Sequence, residues 1–169
     1  MVDEMRQLWL LRHAKSDWND PGLPDHDRPL NDRGHSDASL IGEYVHERRI
    51  RFDLVLCSSA LRTRQTLEHL QLDSDTKVIF YSNLYRASAQ DLFDYLGHNI
   101  DPETSSILLI NHNPSITELA AMLVIDPDHI YAFPTAALAE LHLPLNSWHD
   151  ITPGIASMES FTTPKSARH

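Results

Sequence analysis

A chain of 169 residues with 41% hydrophobic and 22% charged side chains can bury a real core but not two comfortable ones, so it reads as one domain over 1–169. No run approaches the roughly 18 apolar residues of a membrane helix, Asp3 and Glu4 stand where a secretion signal carries positive charge, and the single Cys57 excludes an internal disulfide framework. A formal net charge of −10 argues against binding a nucleic-acid backbone, which rests on clustered Lys and Arg; the expectation is a cytoplasmic protein without membrane or nucleic-acid partners, in which any anion site is local.

Gln7 to Leu11 reads as a first buried strand. Ser16 to Leu30, with Pro21, Gly22, Pro24 and Pro29, resists regular structure, and a loop this long inside a compact domain is often functional. Ala38, Ile41 and Val45, with Leu40 and Tyr44 beside them, repeat at helical spacing over Asp32 to Arg48, behind Asn31 as N-cap. Leu54 to Ser58 is a second strand, in which Cys57 is a small buried side chain, and a helix follows over Leu61 to Leu70. A third strand is expected at Lys77 to Tyr81, a helix at Ala89 to Leu96 behind Ser88, a fourth strand at Ser106 to Asn111, and a helix at Ser115 to Leu123 after Pro114. Ala137 to Leu143 is the fifth strand, and the polar tail after Pro153 is expected to drape over the surface. The alternation predicts an α/β fold, a three-layer sandwich of a mainly parallel mixed sheet flanked by helices on both faces.

Open α/β sheets bind ligands beyond the carboxyl ends of their strands. There the first strand ends in Arg12, His13, Ala14, Lys15 and Ser16; the second runs into Ser58, Ser59, Ala60, Leu61 and Arg62; the fourth ends in Asn111, His112 and Asn113. A guanidinium offers a planar fork of donors to phosphate oxygens, and a neutral imidazole can attack phosphorus. Adjacent guanidinium charges disfavour the imidazolium and keep that nucleophile unprotonated. The second histidine can donate to the equatorial oxygens. A lone histidine at a strand end more often satisfies a backbone group, but two arginines and two histidines at three strand ends point to phosphoryl chemistry.

The run Arg12, His13, Ala14, Lys15, Ser16, Asp17, Trp18, Asn19 resembles the Arg-His-Gly signature of the histidine phosphatase superfamily, also called phosphoglycerate-mutase-like. Ser16 and Asn19 fit its phosphate-contacting Ser/Thr and Asn. Ser58 to Thr66 is similar to the segment of the second arginine, which gives that role to Arg62 and leaves Arg64 on a helix face. Leu108 to Pro114 is similar to the segment of the second catalytic histidine, which falls on His112. Four features resemble the small SixA-type phosphohistidine phosphatases: the segment Asp25 to Asn31, the Arg33–Gly34 pair, the Pro134–Thr135 step and a short chain without an inserted cap. The likeness runs from about Leu8 to Leu143. It implies an enzyme with Arg12, His13, Arg62 and His112 as catalytic residues, Ser16 and Asn19 as substrate-binding residues, a phosphohistidine intermediate on His13, and no metal or cofactor. The implied partner is a phosphorylated protein, through its phosphohistidine, or a small phosphorylated molecule.

The chain departs from the wider pattern at Ala14, where Gly is usual, and at Asn111, where Gly or Ser is more common. Many superfamily members also carry a Glu just after the third strand, but Asn83, Leu84, Tyr85, Arg86 and Ala87 hold no carboxylate, which leaves the proton donor unassigned. An alkoxide needs a proton to leave, whereas a phosphohistidine P–N bond leaves through a protonatable imidazole, so the gap favours phosphohistidine. Asp17 and Asp20 read as solvated loop carboxylates, and Lys15 and Arg28 as a positive rim or as loop anchors. His26 lacks the companions a metal needs, and His35, His46, His69, His98, His142 and His149 read as surface or cap residues. Trp9 and Trp148 read as core and Trp18 as a wall of the pocket. Two rival readings keep the pocket: a small-molecule phosphomonoesterase or mutase-like enzyme, and a non-catalytic phosphate-binding module.

Overall fold

A computed structural model describes residues 4–168, so Asp3 lies outside the described residues. Its elements in chain order are β1 (Arg6–Arg12), α1 (Asp32–Glu47), β2 (Leu54–Ser58), α2 (Leu61–Leu70), β3 (Lys77–Tyr81), α3 (Ser82–Tyr85), α4 (Ala89–His98), β4 (Ser106–Asn111), α5 (Ser115–Leu123), β5 (Leu138–Leu143), β6 (Ser157–Thr162) and α6 (Pro164–Ala167). The six strands form one sheet in the order β3-β2-β4-β1-β5-β6. Neighbours from β3 to β1 pair in parallel, and β5 alone runs against the rest.

The near-continuous apolar runs of β1, β2 and β4 follow from burial on both faces of the sheet. Leu8 and Leu10 of β1, Leu54 and Leu56 of β2, and Ile107 and Leu109 of β4 enter one core with Leu92, Leu96, Ile116 and Leu119 from α4 and α5. Their alternates Trp9, Leu11, Val55, Cys57, Leu108 and Ile110 enter the other with Ala38, Ile41, Val45, Leu67 and Leu70 from α1 and α2. Each such leucine or isoleucine removed from water contributes roughly 1.5–3 kcal/mol, so the two cores, rather than helix propensity, hold the sandwich together. The expected three-layer α/β arrangement is the one found.

Local signals set the helix starts. The Asn31 side chain accepts from Gly34 N at 2.8 Å and opens α1, and Ser88 opens α4 with a capping box to Asp91. Gly34 is required for a further reason: a Cβ there would stand 2.1 Å from the Lys15 carbonyl oxygen, so only glycine lets α1 seat against the segment leaving β1.

The end of the chain corrects the expectation of a draped tail. β6 pairs antiparallel with β5, Phe161 packs edge-on against Phe133 at 5.1 Å between centroids, and Thr163 caps α6. The sequence SMESFT buries little apolar area, so backbone pairing at the sheet edge, invisible to apolar patterning, holds it. The Ser16 to Leu30 segment is irregular apart from one turn of 3-10 helix at Asp25–Asp27 and an antiparallel bridge between Ser16 and Leu30 that closes it into a loop. α3 was not expected, and it carries Tyr85 to the site.

Candidate active site

Register brings the strand ends together. Arg12 lies opposite Asn111 across the β1–β4 ladder, and Cys57 lies opposite Ile110 across β2–β4, so the residues that follow these strands emerge side by side. His13 N donates to Asn111 O at 3.2 Å, and Ala136 N donates to the carbonyls of both Arg12 and His13. Thr66 fixes the next residue, accepting from Ala14 N at 3.0 Å while donating to Arg62 O at 2.8 Å. The segments bearing His13 and Arg62 are thereby tied to one hydroxyl.

The His13 ring is buried, and its Nδ1 lies 2.7 Å from the Ala14 carbonyl oxygen. A carbonyl can only accept, so Nδ1 carries the proton and Nε2 keeps the lone pair. Burial foremost, then the Arg62 and Arg12 charges, push its pKa down to about 4 against the opposing effects of the Ala14 carbonyl and Asp25. His112 lies beside it, with ring centroids 5.2 Å apart. Burial, His13 and Arg62 push His112 down to about 3. Its Nε2 is 2.8 Å from Ser58 Oγ, which also accepts from Ala60 N. With the Ser58 proton directed to Nε2, His112 presents Nδ1–H, a buried donor with no partner among the described residues.

Arg62 is buried at the start of α2, and its guanidinium holds Asp25 through two bonds, Nη1 to the main-chain oxygen at 2.8 Å and Nη2 to Oδ2 at 3.1 Å. Tyr85 also donates its hydroxyl to Asp25 Oδ2, and its ring lies 5.6 Å from that of His112. The Tyr85 hydrogen bond, with further help from Arg62, holds the Asp25 carboxyl below the usual carboxylate range despite partial desolvation. Arg12 donates to Phe133 O at 2.8 Å and keeps a buried Nε without a partner among the described residues; burial and the nearby Arg62 lower its pKa.

The structure thus brings together His13, His112, Arg62 and Arg12, four of the six residues singled out by sequence. Ser16 is buried just beyond them and accepts from Trp18 Nε1 at 3.0 Å. Asn19 is exposed, its backbone N–H held by Asp17 Oδ1 at 2.8 Å. Asp17 and Asp20 each cap a turn of the loop, Asp20 through Gly22 N. His26 binds Ser59 Oγ at 2.9 Å and packs edge-on to Tyr85. The scattered histidines are more organised than surface residues: His35 and His69 bond across α1 and α2 at 2.8 Å, and His142 lies between Glu140 and Glu159. Among the described residues no group of three or more His, Cys, Asp or Glu is arranged to hold a metal ion, and no helix is long and apolar enough to cross a membrane.

Asp25, Tyr85 and Ser58 were given no role by sequence reasoning. Asp25 falls in the segment Asp25 to Asn31, and Tyr85 lies in the run after the third strand that holds no carboxylate. The carboxylate absent from that run comes instead from the loop, as Asp25 bonded to Tyr85, a contact that no spacing in the sequence signals.

Comparisons with known proteins bear on the family and the fold. The model of the histidine phosphatase superfamily (branch 1) matches residues 8–85. An uncharacterized protein of Mycobacterium tuberculosis is 33% identical over 92% of this chain and 100% of its own length. A solved structure of a candidate phosphohistidine phosphatase SixA from Agrobacterium tumefaciens superposes with a TM-score of 0.79 at 31% identity, covering 94% of this chain and 98% of that one. A second SixA candidate, from Nakamurella multipartitia, reaches a TM-score of 0.86 at 26% identity over 97% and 99% of the two chains. Sheet order, the residues at the strand ends and these likenesses lead to one statement: the chain belongs to the histidine phosphatase superfamily, and SixA structures are among the solved structures most similar to it.

Proposed function

We propose that the chain is a phosphatase in which His13 Nε2 attacks phosphorus in line, forming a phosphohistidine enzyme that water then hydrolyses, and that its substrate is a phosphohistidine of a protein. The observation that carries this reading is the bond from His13 Nδ1 to the Ala14 carbonyl, which leaves Nε2 as a neutral lone-pair nitrogen between cationic groups. Arg12 and Arg62 neutralise the transferring oxygens, His112 Nδ1–H donates to one of them, and Ser16 and Asn19 complete the phosphate contacts. Preorganised positive charge supplies most of the barrier reduction in phosphoryl transfer, and these residues supply it without a metal.

Asp25 bears on the substrate. Its carboxyl lies below the usual range and is ionised at neutral pH, so in this state it has no proton for an alkoxide leaving group. An ionised carboxylate beside the attacked phosphorus instead favours a leaving group that brings its own proton, as the second ring nitrogen of a phosphorylated imidazole does. A phosphomonoester or mutase substrate would need the opposite, a protonated Asp25.

The test is to trap the enzyme with a labelled phosphodonor. Acid-labile, base-stable label is expected on the wild type and none on His13→Ala, while label that persists in the variant would place the nucleophile elsewhere. Turnover of a phosphohistidine protein beside that of sugar phosphates distinguishes the two substrate classes, and oxyanion binding without turnover of any substrate would favour a phosphate-binding module.

A further inference from the structure

Arg28 is 7% exposed, yet it makes no ion pair among the described residues. Among the described residues its one side-chain hydrogen bond runs from Nη1 to the Asp20 carbonyl at 3.1 Å, and its buried Nε has no partner there. Burying a guanidinium unpaired is costly, and its own loop offers four carboxylates that are used elsewhere. Asp17 and Asp20 cap turns, Asp25 is held by Arg62 and Tyr85, and Asp27 faces His26. What Arg28 has instead is Trp18, whose ring centroid lies 4.0 Å from its guanidinium carbon. Such a stack contributes about 0.5–2 kcal/mol, enough to hold an indole that is otherwise 59% exposed.

The indole in turn donates Nε1–H to Ser16 Oγ at 3.0 Å. A hydroxyl that accepts through one lone pair still has its own proton to donate, and the bond restricts the directions in which that proton can point. The Ser16 backbone is already set by its bridge to Leu30, with Asp17 N donating to Pro29 O at 2.8 Å and Asn31 N to Lys15 O at 3.0 Å. Only the side-chain rotor is left to fix.

We propose that Arg28 and Trp18 are positioning residues that aim the Ser16 hydroxyl at the phosphoryl group: Arg28 holds the indole by stacking, and the indole N–H holds the hydroxyl so that its proton is presented to a phosphoryl oxygen. This rests on the phosphatase reading of the pocket around His13 and Arg62. Neither residue touches substrate, and the unpaired charge of Arg28 adds to the positive field on that side of the pocket. A serine left free to rotate would have to be ordered anew in every turnover, and the relay removes that cost.

Calorimetric titration with orthovanadate, run beside steady-state kinetics on a phosphohistidine peptide, tests the relay. Trp18→Phe keeps a ring for Arg28 and removes only the N–H; Trp18 is exposed, so the fold is retained, which thermal unfolding checks. Vanadate affinity and kcat/KM are expected to fall about 5- to 10-fold in Trp18→Phe and by a similar factor in Ser16→Ala, the size of one lost hydrogen bond. The double variant Ser16→Ala/Trp18→Phe is expected to lose no more than Ser16→Ala alone, because one residue acts through the other. Unchanged vanadate binding in Trp18→Phe, or multiplicative losses in the double variant, would overturn the relay and leave the phosphatase reading standing. A wild-type protein that binds no vanadate would overturn both.

Discussion

At the scale of single residues, the candidate site depends on keeping two imidazoles neutral beside two guanidiniums. Burial and the arginines push His13 to about 4 and His112 to about 3, so in the free enzyme both are unprotonated through the neutral range. In the proposed mechanism protonating His13 Nε2 removes the attacking lone pair, so the enzyme's own acid limb in kcat/KM, separate from the ionisations of the free substrate, is expected only as pH drops toward about 4. A pH–rate profile of the free-enzyme parameter checks this. An acid limb near 6.5, the ordinary histidine value, would mean that His13 is solvated rather than enclosed.

At the scale of elements, the placement of α1 and α2 fixes the geometry between His13 and Arg62. Gly34→Ala would drive a Cβ to 2.1 Å from the Lys15 carbonyl oxygen, against backbone that cannot move without shifting the loop after His13. The expected cost is roughly 1–3 kcal/mol of stability, with a loss of activity beyond what destabilisation explains. Thermal unfolding and turnover below the melting range, measured together, separate the two effects.

The sequence made the central elements legible because their signals were strong. Leu61–Leu70 and Ser115–Leu123 were read to the residue, and the strands at Leu54, Lys77 and Ser106 likewise, since apolar runs bounded by turn formers leave little choice. What escaped it depended on partners distant in the chain. β6 pairs along the edge that β5 offers, and Asp25 meets Arg62 from a loop that the Ser16–Leu30 bridge closes. Of the site, the residues named by type at strand ends were legible, whereas Tyr85 and Ser58 acquire a role from contacts that no spacing encodes.

At the scale of the whole molecule, the same depressed histidines couple folding to pH. In the unfolded chain His13 and His112 take up protons as pH falls through about 6.5, whereas in the folded protein they resist until about 4 and 3. The unfolded state therefore binds more protons over this interval, and stability present above the unfolded value is lost as pH descends. Asp25, held below its ordinary range, adds a further loss at lower pH, as its carboxylate is protonated. Urea unfolding midpoints are expected to fall between neutral pH and about pH 4.5, and to fall less steeply in His13→Asn, which removes one of the coupled groups.

The carboxylate carried on Arg62 has a bearing on the end of the catalytic cycle. In the proposed reaction, as orthophosphate departs, Asp25 is already tethered within reach of the vacated guanidinium, so the free anion would compete with one whose local concentration is set by the loop rather than by the surrounding solution. Weak product inhibition is expected. Replacing Asp25 by Ala is expected to lower the inhibition constant for orthophosphate several-fold, read from competitive inhibition of substrate turnover, and an unchanged constant would mean that the tether gives way without cost.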